Sequence, residues 1–117
     1  QKCLENLEEV LVKEANAIYR DSAILRFELC VETAYKAIQS IAKQEGFNDI
    51  NSPRKSFEKA LALGFISNEI VWDDILRTRN LAVHTYNEIV ACEIYDELPT
   101  FLIAFKELAS SINEYAK

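Results

Sequence analysis

Hydrophobic residues recur every three or four positions along most of this chain, the spacing that puts side chains on one face of an α-helix. A first repeat predicts a helix that ends near Arg20, with apolar positions at Leu4, Leu7, Leu11, Ala15 and Ile18. Asp21 is expected to cap a second, long helix that Gly46 terminates. The core face of this second helix is predicted at Ile24, Phe27, Val31, Ala34, Ile38 and Ile41.

The segment NSPRKSFEKALALG predicts a short third helix. Ser52 is expected to cap it, and Pro53 takes the first helical position, where a missing N–H has no cost. Gly64 ends it.

A fourth helix is predicted to begin at Ser67 or Asn68 and to stop at His84. Thr85 and Glu88 have the spacing of a capping box that would start a fifth helix. The expected core residues of the fourth helix are Ile70, Val71, Ile75 and Leu76.

Apolar residues of the fifth helix alternate in spacing between four and three, at Ile94, Leu98, Phe101, Phe105, Leu108 and Ile112. Pro99 lies within this helix and is expected to bend it. Together these elements predict an all-α protein. Its expected fold is a four-helix up-and-down bundle with a short extra helix in the connection between helices 2 and 4.

Composition narrows the class of protein. A chain of 117 residues, half of them hydrophobic, with only two glycines and two prolines, is typical of a single helical domain, which we place at residues 1–117. No apolar run is long enough to span a membrane and the first residues lack the order of a secretory signal, so a cytoplasmic location is predicted. Because the chain contains no methionine, we expect the natural protein to begin upstream of Gln1.

Charge and cysteine content limit the possible chemistry. A net charge of −6 opposes strong nonspecific binding to nucleic acid, so any contact with RNA must be local. Cys3, Cys30 and Cys92 are far apart and odd in number, which predicts reduced thiols rather than disulfides. With one histidine in the chain, we expect no metal site and no cofactor.

The stretch RTRNLAVHTY, residues 77–86, concentrates the candidate chemistry. At about 100° per residue, Arg77 and Asn80 lie on the same side of the helix as His84, whereas Arg79 lies roughly 140° away. A long side chain, a change of direction, or a second copy of the protein could bring Arg79 to His84. An imidazole and a guanidinium suffice to cleave RNA without metal, the first accepting the 2′-hydroxyl proton and the second stabilising the phosphoryl charge. Nucleotide binding, a partner surface, and the exposed polar end of a helix remain the alternatives.

Four segments together resemble a known family: LRFELCVETAYKAI, NSPRKSFEKALALGFI, VWDDILRTRNLAVHTYNE and IYDELPTFLIAF. In this order they are similar to the nucleotidyltransferase substrate-binding proteins of the HEPN group. The resemblance implies a bundle like the C-terminal domain of kanamycin nucleotidyltransferase, a homodimer, and a separately encoded minimal nucleotidyltransferase as partner.

In the related HepT-type toxins the motif R-x4-H-x-Y is a ribonuclease site, and the partner acts as antitoxin by transferring AMP to the tyrosine. On that basis the resemblance assigns Arg79 and His84 as catalytic residues, Asn80 as a binding residue and Tyr86 as the site of AMPylation. The expected function is therefore a substrate- or nucleotide-binding subunit of the HEPN toxin–antitoxin type. The alternative is an active, metal-independent RNase.

Further charged residues are candidates with a plainer alternative. Arg77 could add a binding group beside the motif, and Arg26 and Glu28 could brace the motif helix, as matching family positions suggest. Glu32 and Lys36 have the spacing of a favourable helical ion pair. Side chains of this kind on a helix usually face water.

The third helix carries Arg54, Lys55 and Lys59, a basic face that could hold phosphate, meet an acidic partner or simply be solvated. Trp72 is expected to be a core or interface residue, and we favour an interface.

Overall fold

The computed structural model describes residues 2–11 and 17–116. Within these residues the chain forms helices and no strand, which confirms the all-α prediction. The helices are α1 (Lys2–Leu11), α2 (Ala17–Gln44), α3 (Pro53–Ala62), α4 (Glu69–Leu81) and α5 (Glu88–Ala116), and a short 3-10 turn (Ala82–His84) extends α4.

The two longest helices, α2 and α5, pack against each other and form the centre of the bundle. Both α1 and α4 pack on this pair, and α3 lies against α2 and α4. Four helices thus make the bundle, with α3 in the connection between α2 and α4, as predicted. Among residues 2–11 and 17–116, no helix combines the length and apolar character that a bilayer crossing requires.

A series of aromatic rings connects four of the helices through the core. Phe27 of α2 stacks on Phe101 of α5 with ring centroids 5.6 Å apart, and it contacts Phe105 one turn later. Trp72 of α4 lies edge-on to Phe105 at 5.5 Å and stacks on Phe57 of α3 at 4.5 Å. Because Trp72 is only 3% exposed, the expectation that it forms an interface is wrong, and the residue belongs to the core of its own chain.

The boundary predicted near Arg20 is wrong. α2 begins at Ala17 and continues through Arg20 and Asp21, so Asp21 caps nothing. Its carboxylate instead lies 3.5 Å from Nε of Arg20, its neighbour within the helix. Ile18 belongs to α2 and is exposed rather than part of α1, while Ala15 lies outside the described residues.

The predicted ends of α3 are confirmed. Oγ of Ser52 accepts a hydrogen bond from the Lys55 N–H at 3.2 Å, and Pro53 occupies the first position. Gly64 follows the helix with φ +81°, a left-handed conformation that glycine adopts without strain.

The start of α4 is also confirmed, but one of its expected core residues is not. Oδ1 of Asn68 accepts a hydrogen bond from the Val71 N–H at 3.1 Å. Ile70 is 75% exposed, because it lies five positions before the buried Ile75 and hence about 140° around the helix from it. Trp72 takes the place in the core that was predicted for Ile70.

Candidate functional site

The candidate site is built at the junction of α4 and α5. The last residues of α4 tighten into the 3-10 turn that ends at His84, as predicted for the end of this helix. The Asn87 N–H then donates to the His84 carbonyl at 3.0 Å. Thr85 and Tyr86 are therefore held in a tight connection between two helix ends.

Asn87, not Thr85, caps α5. Its side-chain oxygen accepts hydrogen bonds from the N–H groups of Ile89 and Val90, at 3.0 and 3.3 Å. α5 begins at Glu88, so the residue directly before it is placed to reach the free donors of the first turn. The prediction that Thr85 forms a capping box is wrong for this reason.

His84 and Tyr86 form an exposed pair. Nδ1 of the histidine and the tyrosine oxygen lie 3.1 Å apart, at hydrogen-bond distance. The rings meet edge to face, with centroids 5.7 Å apart. Tyr86 is 84% exposed, and His84 is also exposed. An imidazole nitrogen at this distance can accept the hydroxyl proton, the arrangement that activates a hydroxyl as a nucleophile.

Arg79 faces α2 rather than His84. Nη2 of Arg79 lies 3.9 Å from Oε2 of Glu32, whose carboxylate also pairs with Lys36 at 3.3 Å. One turn earlier on α2, burial raises the pKa of the Glu28 carboxyl, and the positive charge of Arg79 opposes that rise. The Arg79 guanidinium therefore lies beside the Glu32 carboxylate of α2.

Each of the two catalytic candidates has another partner within the chain. Among the contacts of the described residues, none joins the Arg79 guanidinium to the His84 ring.

Asn80 and Arg77 line different cavities beside α4. Asn80 lines a cavity of about 180 Å³ together with Arg79 and Arg54. Arg77 lines another, of about 320 Å³, between α4 and α5, and its Nη2 lies 2.7 Å from Oδ1 of Asp74. The sequence placed both residues on one helix side, but the bundle puts different neighbours beside them.

Arg26 lies away from this site. Its Nη1 donates to the backbone carbonyl of Asn6 in α1, so the hydrogen bond joins α1 to α2. This hydrogen bond does not brace the motif helix, and the bracing role of Glu28 stays a prediction, with which the effect of Arg79 on the Glu28 pKa agrees.

Sequence reasoning missed Arg20. From α2, its Nη1 donates to Sγ of Cys92 at 3.4 Å and lies 3.6 Å from the Glu88 carboxylate. Arg20 therefore connects α2 to the beginning of α5, which starts two residues after Tyr86. These partners are some 70 positions apart in the chain, and helical periodicity does not predict contacts between residues so far apart.

Comparisons with known proteins agree with this architecture. The chain matches the family described as nucleotidyltransferase substrate binding protein like over residues 1–114. A crystal structure of a protein from Thermus thermophilus is 30% identical, with a TM-score of 0.85, and the alignment covers 95% of this chain and 96% of that one.

HI0074 from Haemophilus influenzae is described as revealing the fold of a substrate binding domain of a nucleotidyltransferase. It is 22% identical with a TM-score of 0.85, over 96% of this chain and 95% of that chain. Among proteins with curated descriptions, no match is found. Since the family match extends over nearly the whole sequence, this chain belongs to the nucleotidyltransferase substrate-binding protein family.

Proposed function

We propose that this chain is the helical, substrate-binding partner of a separately encoded minimal nucleotidyltransferase in the cytoplasm, of the HEPN toxin–antitoxin type. Family membership supports the pairing with a nucleotidyltransferase. The single observation that carries the finer assignment is the exposed Tyr86 hydroxyl, 3.1 Å from Nδ1 of His84. This pair offers a nucleophile and its base to a second protein at one corner of the bundle.

The reaction expected at this pair is AMP transfer to Tyr86. The tyrosine oxygen attacks the α-phosphate of ATP, a new oxygen–phosphorus bond forms, and the bond to the leaving pyrophosphate breaks. His84 accepts the hydroxyl proton through Nδ1. ATP is held by the nucleotidyltransferase, so this chain contributes the acceptor and the base.

The surface around the motif suits a protein partner. Four large side chains with apolar surface are exposed at the junction of α4 and α5: Leu81, Val83, Tyr86 and Ile89. Exposed apolar groups clustered in this way are typical of interaction surfaces. The proposal places the nucleotidyltransferase, and the second copy of a homodimer, on this side of the molecule.

The test is co-expression with the adjacent nucleotidyltransferase, followed by purification and mass spectrometry. We expect a stable complex and an AMP-sized mass increment that maps to Tyr86. Tyr86→Phe removes the increment, whereas Tyr115→Phe, the matched change at another exposed tyrosine, retains it. His84→Ala slows the transfer by about 100-fold if the imidazole is the base. A complex without any increment contradicts AMP transfer, and absence of a complex contradicts the partner assignment.

The second candidate function is a metal-independent endoribonuclease that uses Arg79 and His84. The exposure of His84 favours it, since the imidazole is open to a substrate. No contact joins the two side chains within one chain, and a second copy that supplies one of them is one way to bring them together. Growth arrest on expression, relieved by His84→Ala or Arg79→Ala but not by Arg77→Ala, supports this function. Harmless expression of the unmodified chain contradicts it.

A further inference from the structure

A small cavity opens where the start of α3 meets the end of α4. Its volume is about 180 Å³, and it is lined by Ser52, Pro53, Arg54, Leu76, Arg79 and Asn80. Two arginines from different helices and one carboxamide therefore converge on the same space. Arg79 and Asn80 belong to the motif, whereas Arg54 lies 25 positions before Arg79 and joins them only through the fold.

The charge of the cavity is opposite to that of the whole molecule. The chain has a net charge of −6, yet the described residues that line the cavity include two arginines and no carboxylate. The acidic partners approach from outside this lining. Oδ1 of Asp73 lies 2.9 Å from Nη1 of Arg54, and Oε2 of Glu32 lies 3.9 Å from Nη2 of Arg79.

Those partners leave hydrogen-bonding capacity for a ligand. A guanidinium has five N–H groups in a planar fork, and each arginine directs one nitrogen to its carboxylate. Both members of the Arg54–Asp73 pair are more than half exposed, so the pair is weak and exchanges readily with water or a stronger anion.

Two backbone N–H groups in the first turn of α3 are already bonded within the helix, and the candidate ligand-binding groups are side chains. Pro53 has no N–H, and the Lys55 N–H is bonded to Oγ of Ser52. The Ser56 N–H is bonded to the Ser52 carbonyl at 3.0 Å. The charged and amide donors of the lining are the forks of Arg54 and Arg79 and the carboxamide of Asn80, and these groups can bind an oxyanion.

The chemistry and the size of the cavity fit a phosphate group. Arginine forks match the oxygen geometry of phosphate, and an amide N–H adds a further donor. Pockets that enclose a whole drug-sized ligand measure about 300–1,000 Å³, so this smaller, open depression has room for a phosphate group but does not enclose a whole nucleotide.

We propose that Arg54, Arg79 and Asn80 form a subsite for the phosphate group of a mononucleotide, with Arg54 as a binding residue that the motif string does not contain. The inference rests on the proposed nucleotide-binding role of the motif. It gives Arg79 a ligand within one chain, with no contribution from a second copy.

The experiment titrates the isolated chain with 5′-AMP, adenosine, inorganic phosphate and a short single-stranded oligoribonucleotide, observed by NMR. We expect 5′-AMP to shift the Arg79 and Asn80 signals, inorganic phosphate to compete with it, and adenosine to have no effect. Arg54→Ala weakens 5′-AMP binding by about tenfold or more, as loss of a charge-assisted contact requires. Arg54→Lys, which keeps the charge without the fork, gives a smaller loss.

Two matched variants separate the cavity from general charge. Lys55→Ala removes the same charge from the adjacent, exposed position outside the cavity lining and should change affinity by less than about twofold. Asp73→Asn releases Arg54 from its carboxylate and should leave binding equal or stronger.

Three results overturn the subsite: equal losses for Arg54→Ala and Lys55→Ala, adenosine binding as tightly as 5′-AMP, or an oligoribonucleotide binding far more tightly than 5′-AMP. The last would indicate a polymer site. Because these titrations contain no nucleotidyltransferase, their failure alongside an intact complex removes the subsite and leaves the partner assignment standing.

Discussion

Burial controls the chemistry of the Cys30 thiol. The side chain is 3% exposed, and burial, followed by the neighbouring Cys3, raises its pKa from 9.0 to about 12. All three cysteines are free, and Cys92 is exposed. At pH 8 we expect iodoacetamide to alkylate Cys92 first and Cys30 only after unfolding in urea, because the thiolate is the reactive form. Peptide mass spectrometry measures the order, and equal rates for the two thiols contradict it.

The same pKa shift predicts a pH dependence of stability. The folded pKa of about 12 exceeds the unfolded value of 9.0, so the contribution of the neutral thiol is complete below pH 9 and is lost as the pH rises toward 12. Urea unfolding at pH 7, 9 and 10.5 should show the wild type losing free energy of unfolding relative to Cys30→Ala only above pH 9. A constant difference across this range contradicts the assignment.

Arg79 influences Glu28 through charge. Since burial raises the pKa of the Glu28 carboxyl and Arg79 opposes the rise, Arg79→Ala should raise that pKa further above 4.5. An NMR titration of the carboxyl measures the change. Arg77→Ala serves as the control, because Arg77 pairs with Asp74 on another side of α4 and should leave Glu28 unaffected.

At the scale of the helices, Asn87 alone supplies the side-chain cap observed for α5. Asn87→Ala should lower the free energy of unfolding by about 1 kcal/mol, since two N–H groups of the first turn lose their acceptor. Thr85→Ala should change it by less than about 0.5 kcal/mol, the usual size of a substitution away from a cap or the core. Urea titrations of both variants measure the two changes in the free energy of unfolding. A larger effect at Thr85 would support Thr85, and not Asn87, as the cap of α5.

Local signals predicted the helices well where one residue and its near neighbours determine the structure. Ser52, Pro53 and Gly64 fix α3 through contacts within a few positions, and the sequence located both ends. The start of α2 was mistaken because Asp21 can cap a helix or sit inside one, and pattern alone does not choose. Ile70 was misplaced because packing of the bulky Trp72 decides which face of α4 is buried.

For the whole molecule, the ring series through the core joins four helices, α2 to α5. Trp72→Ala removes the ring contacts that join α4 to α3 and α5. It should lower the free energy of unfolding by about 3–5 kcal/mol, a large part of the stability of a domain of this size. Ile70→Ala, on the exposed side of the same helix, should cost far less. Comparable losses in thermal or urea unfolding contradict the assignment of Trp72 to the core.

The assembled bundle also explains what the sequence could not predict about the site. The motif string identified Arg79, Asn80, His84 and Tyr86 together, but their grouping follows from the fold. His84 joins Tyr86, whereas Arg79 and Asn80 share a cavity with Arg54. Arg54 and Glu32 lie near Arg79 because α2 and α3 pack on α4. The spacing of residues within the motif contains no information about this packing.

The conformation of the connection around Tyr86 affects whether another enzyme can recognise this residue. Its shape exists because α4 closes on His84 and Asn87 opens α5, and helix ends of this kind do not persist in a short free segment. A synthetic peptide copying residues 77–90 should therefore be a poor acceptor. If Tyr86 is modified as proposed, we expect the modifying enzyme to act on folded chains and not on unfolded ones.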